Sequence, residues 1–230
     1  MKKDKIQPQC AECSVKVKKC ESVTNGKSPV FCPTKNYKSV IEKALKEYEK
    51  PEIREFARMA SIQEGECYIN RELKPYALHP SKSRVQEVCE FAEKMNYKKL
   101  GLAFCGGLCS EAHVFSDILN AQGFDVTSVM CKCGGIPKET IGLSDEEKIN
   151  IGEGFEPMCN PIIQATILNE ENTDFNILLG LCVGHDSLFF KYSSAFTTVL
   201  VAKDRLMGHN PAAALYTSGT YYRRLLRRGF

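Results

Sequence analysis

Along the first hundred residues the apolar positions fall at helical spacing. Val40, Ile41, Leu45 and Tyr48 predict a helix from Tyr37 to about Glu49, broken by Pro51. Phe56, Ala57, Ala60 and Ile62 predict a second over 53–64, stopped by Gly65. Val85, Val88, Phe91, Ala92 and Met95 predict a third over 83–95, with Pro75 and Pro80 marking a non-helical crossing before it. After Lys99 the pattern changes. Short apolar runs at 100–105, 126–130, 175–182 and 197–202 read as buried strands. Helical stretches alternate with them: Ser110, a cap, to about Gln122 before Gly123, then 162–169, 187–193 and 212–216. Such alternation defaults to parallel pairing with right-handed crossovers. The fold class expected is therefore α/β, a Rossmann-like, mostly parallel sheet with flanking helices.

Residues 136–158 interrupt the alternation, with Ser144-Asp145-Glu146-Glu147-Lys148 reading as a short capped turn of helix. By position this insertion is expected to cover the end of the sheet as a lid. Residues 1–9 are a polar tail, and the segment that follows differs in kind. It carries Cys10-Ala-Glu-Cys13, Cys20 and Cys32-Pro33 with lysines 16, 18 and 19 among them, and few large apolar residues (Val15, Val17, Val23, Val30, Phe31). So little apolar material does not order a chain by burial, whereas metal binding is folding energy in its own right. Four thiolates suit Zn²⁺ or an iron–sulfur cluster. The expected division is a four-cysteine metal-binding module at 1–36, a helical segment at 37–98 packing on the core, and an α/β domain at 99–230 with Cys- and His-rich loops.

Bulk properties narrow the classes. A chain of 230 residues with 43% hydrophobic content buries a full core. A net charge of +3 calls for neither nucleic acid nor an anionic membrane as partner. The start, MKKDKIQPQC, has no apolar stretch behind it to read as a secretory leader, and no apolar run is long enough to span a bilayer. The expected location is the cytoplasm, where twelve cysteines argue for metal, cluster or redox chemistry over structural disulfides.

The second concentration of cysteine follows the strands. Cys105 ends the first run, Gly106 and Gly107 follow, and Cys109 stands just before Ser110, the cap of the next helix. Cys131 and Cys133 end the second run before Gly134 and Gly135. Residues two apart in a strand face one side, so Cys131 and Cys133 are expected to reach one ion. Cys159 precedes Asn160-Pro161, a cap and a first-position proline. Cys182 ends the third run, with Gly184, His185 and Asp186 behind it. In an open parallel sheet these positions share the C-terminal edge, where ligands bind. Cys105, Cys109, Cys131, Cys133, Cys159, Cys182 and His185 are the candidate metal ligands there, beside Cys10, Cys13, Cys20 and Cys32. Gly106, Gly107, Gly134 and Gly135 are the candidate cofactor contacts. Their order after a strand suits a phosphate loop, but neither Gly-x-Gly-x-x-Gly nor Gly-Lys-Ser/Thr is present, and metal is favoured over nucleotide. Soft thiolates select zinc, copper(I) or iron–sulfur clusters. His209, in Gly208-His209-Asn210-Pro211, either joins that edge or caps a turn. Cys67 and Cys89 read as packing thiols.

Cys10-Ala-Glu-Cys13 with Cys32-Pro33-Thr34, Gly-x-Ala-Phe-Cys105, Cys131-Lys-Cys133-Gly, Met-Cys159-Asn-Pro161, Gly-Leu-Cys182-Val-Gly-His185-Asp186 and Gly-His209-Asn-Pro211 together resemble the DUF1847 family, from Cys10 to about Tyr216. The resemblance implies metal binding, and the family's anaerobic bacterial and archaeal sources make oxygen-sensitive clusters feasible. The layout is also similar, at the level of fold, to the cluster-bearing domains of carbon monoxide dehydrogenase and hybrid-cluster proteins. The functions expected are a cytoplasmic iron–sulfur protein with a redox or reductive role and a redox partner protein, a zinc-stabilised binding or metal-handling protein, or a thiol-dependent enzyme with one structural zinc.

Overall fold

The four apolar runs pair into one parallel sheet in the order β2-β1-β3-β4. They are β1 (Lys99–Phe104), β2 (Asp125–Met130), β3 (Phe175–Leu179) and β4 (Thr197–Val201). This computed structural model describes residues 6–22 and 24–229; Met1–Lys5, Val23 and Phe230, which include part of the polar tail, lie outside the described residues. The chain divides into two units, Met1–Glu64 and Gly65–Phe230.

The first unit holds a 3-10 turn at Cys10–Glu12, a single bridge between Lys18 and Lys27, and the helices α1 (Pro33–Asn36), α2 (Lys38–Leu45) and the start of α3 (Pro51–Glu66). A 3-10 turn, Lys46–Glu49, separates α2 from α3. Pro51 is the first residue of α3, where its missing N–H costs nothing, so it starts a helix as well as ending one. Among the described residues of this unit only Cys32 and Gln63 are buried.

In the second unit α4 (Arg84–Lys94) is capped by the Ser83 hydroxyl, which accepts the Gln86 N–H at 3.3 Å. Its Phe91 ring lies 5.5 Å from that of Phe175 in β3. Cys67 and Cys89 are buried, and desolvation raises the Cys89 thiol, as packing thiols require. Around the sheet run α5 (Cys109–Ala121), α6 (Pro161–Glu170), α7 (His185–Tyr192) and the short α8 (Ala212–Tyr216). Ala103, Val129 and Leu178 from three strands pack with Ala165 and Leu168 of α6 and Phe189 of α7. β3 is buried along its whole length, as a central parallel strand must be. Gly101 in β1 makes room for a buried polar group. A Cβ there would lie 2.0 Å from Oδ1 of Asn176, which is fully buried and also accepts from the Thr173 hydroxyl at 2.7 Å. Among the described residues no helix is long and apolar enough to cross a membrane.

Some local expectations change. Helix α5 starts at Cys109, not after Ser110, because Gly106–Leu108 form a 3-10 turn that feeds straight into it and leaves Ser110 inside the first turn. β2 ends at Met130 and residues 131–134 form a turn, so strand geometry does not relate Cys131 to Cys133. β3 ends at Leu179, and Cys182 stands in the loop beyond it. The insertion at 136–158 is closed at its base by a Pro137–Pro157 bridge and by the bond from the Met158 N–H to the Ile136 carbonyl at 2.8 Å. Charge holds its interior: Lys138 pairs with Glu156, and the buried Lys148 reaches Asp145 at 3.0 Å and Glu139 at 2.5 Å. Ser144 and Glu147 form a capping box at the capped turn expected there.

Candidate functional site

In the sheet, β1 sits between β2 and β3, and chain order reverses direction across it. The crevice at the carboxyl ends of β1 and β3 is the place where such sheets bind ligands. Cys105 and Cys131 stand one residue beyond β1 and β2, and their backbones remain in the ladder. Cys105 donates its N–H to the Leu179 carbonyl at 3.1 Å, and Cys131 to the Phe104 carbonyl at 2.9 Å. Beneath them Gln164 of α6, fully buried, donates through Nε2 to the carbonyls of Val129 at 2.7 Å and Phe104 at 3.2 Å. It ties the last turns of both strands together, and its Oε1 has no partner.

The insertion brings Cys159 back to this point. The Asn160 N–H bonds the Cys131 carbonyl at 2.7 Å, while the Asn160 side chain accepts the Ile163 N–H at 3.0 Å as the cap of α6. Lys132 Nζ donates to the Pro157 carbonyl at 2.5 Å. The two thiols thus meet although 28 positions separate their numbers, 131 and 159. Cys159 packs against the buried cluster that contains Cys131, and hydrogen bonding from Cys131 and from His185 acts on its thiol. These two bonds, the Cys131 bond first, pull the Cys159 thiol well below the ordinary cysteine range against the opposing effect of burial, with help from the charge of Lys132. Cys131 is pushed up, first by the proton it holds toward Cys159 and then by burial, although the Gly106 N–H donates to its sulfur at 3.3 Å. The two therefore titrate as a pair, in which Cys159 is the more acidic partner and Cys131 the less acidic. Cys131 is 2% exposed, whereas Cys159 is only partly covered.

Other sulfurs at the edge have partners of their own. Lys203 Nζ lies 3.3 Å from Cys105 Sγ, and Arg205 Nη2 lies 2.9 Å from Cys182 Sγ. Both cations come from the loop after β4. Cys109 donates to the Gly106 carbonyl at 3.1 Å and lies 3.9 Å from the Met130 sulfur. Cys133 and Cys105 pack against the cluster containing Cys131. The glycines serve these sulfurs. Gly106 spends its N–H on Cys131, and Gly107 leaves room 3.5 Å from Lys203 Nζ. Gly134 and Gly135 turn the chain with φ of +91° and +57°, values that side chains rarely adopt. Gly180, at φ +70°, would put a Cβ 2.1 Å from Leu108 Cδ1. Asp186 caps its own loop, accepting from the N–H groups of Gly184 at 3.0 Å and Ser187 at 2.7 Å. His209 caps a turn, its Nδ1 accepting the Asp204 N–H at 3.1 Å.

In the first unit Cys10 and Cys13 close one 3-10 turn, with the Cys13 N–H on the Cys10 carbonyl at 3.1 Å. Cys13 and Cys20 both act electrostatically on Lys18. Burial would raise the Cys32 thiol, but hydrogen bonds from Lys35 and Thr34 at the start of α1, with the charge of Lys19, hold it below the ordinary value. Donor chemistry here is that of a soft-metal site, and among the described residues of 10–32 only Cys32 is buried. At the sheet edge the donors are equally soft, but they are pinned by the sheet and partnered singly by cations, N–H groups or one another. Among the described residues no three Cys, His, Asp or Glu side chains converge as a cation site.

Sequence reasoning missed Lys203, Arg205, Lys132 and Gln164. The first two carried a usable signal: Lys203-Asp204-Arg205 follows β4 at the same edge as the cysteines. Gln164 carried none, because a glutamine within an apolar helix does not reveal which carbonyls it will reach.

Fold and site together define an α/β protein whose sheet edge is lined by thiols held next to cations. The chain belongs to the DUF1847 family, described as protein of unknown function, which it matches over residues 32–200. It is also similar to the uncharacterized protein MJ0455 of Methanocaldococcus jannaschii, at 44% identity over 192 residues, covering 84% of this chain and 90% of that protein.

Proposed function

We propose that this protein is a thiol-dependent redox protein whose reactive centre is the sheet edge and whose four N-terminal cysteines hold a soft metal. The observation that carries the proposal is the meeting of the partly covered Cys159 with the buried Cys131 across the Asn160-to-Cys131 bond at 2.7 Å, where Cys131 and His185 both favour the Cys159 thiolate. A thiolate is the nucleophilic form of cysteine. His185 orients and stabilises it, and Cys131 holds the second proton. Lys203 and Arg205 stand beside the sulfurs of Cys105 and Cys182. Cys10, Cys13, Cys20 and Cys32 would bind Zn²⁺ or an iron–sulfur cluster, which supplies structure to a segment that has no apolar core, and electron transfer as well if it is a cluster.

The test is metal and acid-labile sulfide analysis on protein purified without oxygen, run beside Cys13→Ser/Cys20→Ser and Cys159→Ser variants. Metal lost in the first variant and kept in the second supports the assignment. Metal kept in the first and lost in the second would place the ion at the sheet edge and overturn it.

A further inference from the structure

Two thiols held in contact, one reachable and one buried behind it, form a pair that can close into a disulfide. Their backbones are tied side by side by the bond from the Asn160 N–H to the Cys131 carbonyl at 2.7 Å, and Cys159 packs against the cluster that contains Cys131. His185 acts on the more exposed of the two sulfurs. Resting on the reading of this edge as a thiol centre, we propose that Cys159 and Cys131 are the attacking and resolving thiols of a dithiol exchange site whose substrate is a disulfide.

The chemistry balances without a further reactant. The Cys159 sulfur attacks one sulfur of R–S–S–R, the S–S bond breaks, and RS⁻ leaves with the electron pair of that bond. Cys131 then gives up its proton, and its sulfur attacks the Cys159 sulfur of the mixed disulfide, displacing the second RS⁻. The proton from Cys131 and one from solvent, equal to the proton Cys159 released on ionising, complete two R–SH. The substrate disulfide is reduced by two electrons, and the two cysteines are oxidised to one disulfide. Cys131 suits the second step because it is buried against its target and shielded from alternative disulfides. Cys105 and Cys182, each beside a cation from the β4 loop, are separate thiols that this step leaves untouched.

The test is a single-turnover reaction of the fully reduced full-length protein with bis(2-hydroxyethyl) disulfide, followed by peptide mapping under non-reducing conditions. A 131–159 linkage and two equivalents of 2-mercaptoethanol are expected. Cys131→Ser should instead stop at a mixed disulfide on Cys159, and Cys159→Ser should lose the linkage. A disulfide-bridged peptide in place of the small probe tells a peptide substrate from a small-molecule one. A stable mixed disulfide on Cys159 in the wild-type protein, with Cys131 still a thiol, would overturn the exchange proposal while leaving the edge a thiol centre. Cys159 inert to both the disulfide and iodoacetamide would instead overturn the underlying reading. Linkage mapping in the wild-type protein decides the matter even if a variant fails to fold.

Discussion

Asn160 joins the segment of Cys159 to Cys131: its N–H holds the Cys131 carbonyl at 2.7 Å while its side chain caps α6, accepting the Ile163 N–H at 3.0 Å. The residue after Cys159 is thereby tied to the residue that follows β2, and the insertion between them becomes a closed loop whose two ends carry the pair. Asn160→Ala removes the cap, at a cost of about 1 kcal/mol in stability. The backbone bond remains, so a thermal melt should shift down modestly while the wild-type reactivity of Cys159 persists. A melt unchanged by the substitution would refute the capping role.

Gly101→Ala should be the more damaging of two small changes to the sheet. The added methyl falls 2.0 Å from Asn176 Oδ1 and 2.8 Å from Leu168 Cδ1, both in the packed interior. Overpacking of this kind costs about 1–3 kcal/mol, read as a lowered melting temperature or denaturant midpoint. Gly135→Ala, where a Cβ meets nothing within 4 Å, carries only the strain of its φ of +57°.

The thiol pair also shapes stability against pH. In the unfolded chain a cysteine keeps its proton up to about pH 8.5. The folded Cys159 has released its proton well below that, so across the interval the unfolded state binds more protons and stability rises with pH. Cys131 acts in the opposite sense above about pH 8.5, where the fold retains a proton that the unfolded chain has lost. The stability advantage of the wild-type protein over Cys159→Ser should therefore grow between about pH 5 and about pH 8. Equilibrium denaturation across that range checks it, and a constant difference would remove the thiolate assignment.

Metal removal should act on one unit. A strong chelator is expected to abolish protection of residues 10–36 in hydrogen exchange, since only Cys32 among the described residues there is buried. The strands β1 to β4 have their own apolar core and should keep their protection. Loss of protection throughout would show that the metal supports the α/β unit as well.

Much of this architecture was written in the period of the apolar residues. The four runs, the alternating helices, the Asn160-Pro161 start and the Ser144–Glu147 box are local signals with a local physical cause, and each element formed within a few residues of its expected place. The sheet edge was legible for the same reason, since strand ends in a parallel sheet share one side. The pairing inside the site was not. That Cys131 meets Cys159 rather than Cys133 depends on where β2 stops and on how the 136–158 loop closes, both tertiary outcomes. Lys203 and Arg205 follow β4 at the expected edge, but which sulfur each one reaches is set by the strand order and not by any spacing along the chain.

Iodoacetamide pulse-labelling of the reduced protein across pH, with each cysteine mapped by mass spectrometry, tests the central claim most directly. Cys159 should label ahead of Cys131 and retain most of its rate at about pH 6, where an ordinary thiol is almost wholly protonated. Labelling of Cys159 that falls away below about pH 8 as a free cysteine's does, or that appears only on unfolding, would contradict a thiolate held by Cys131 and His185.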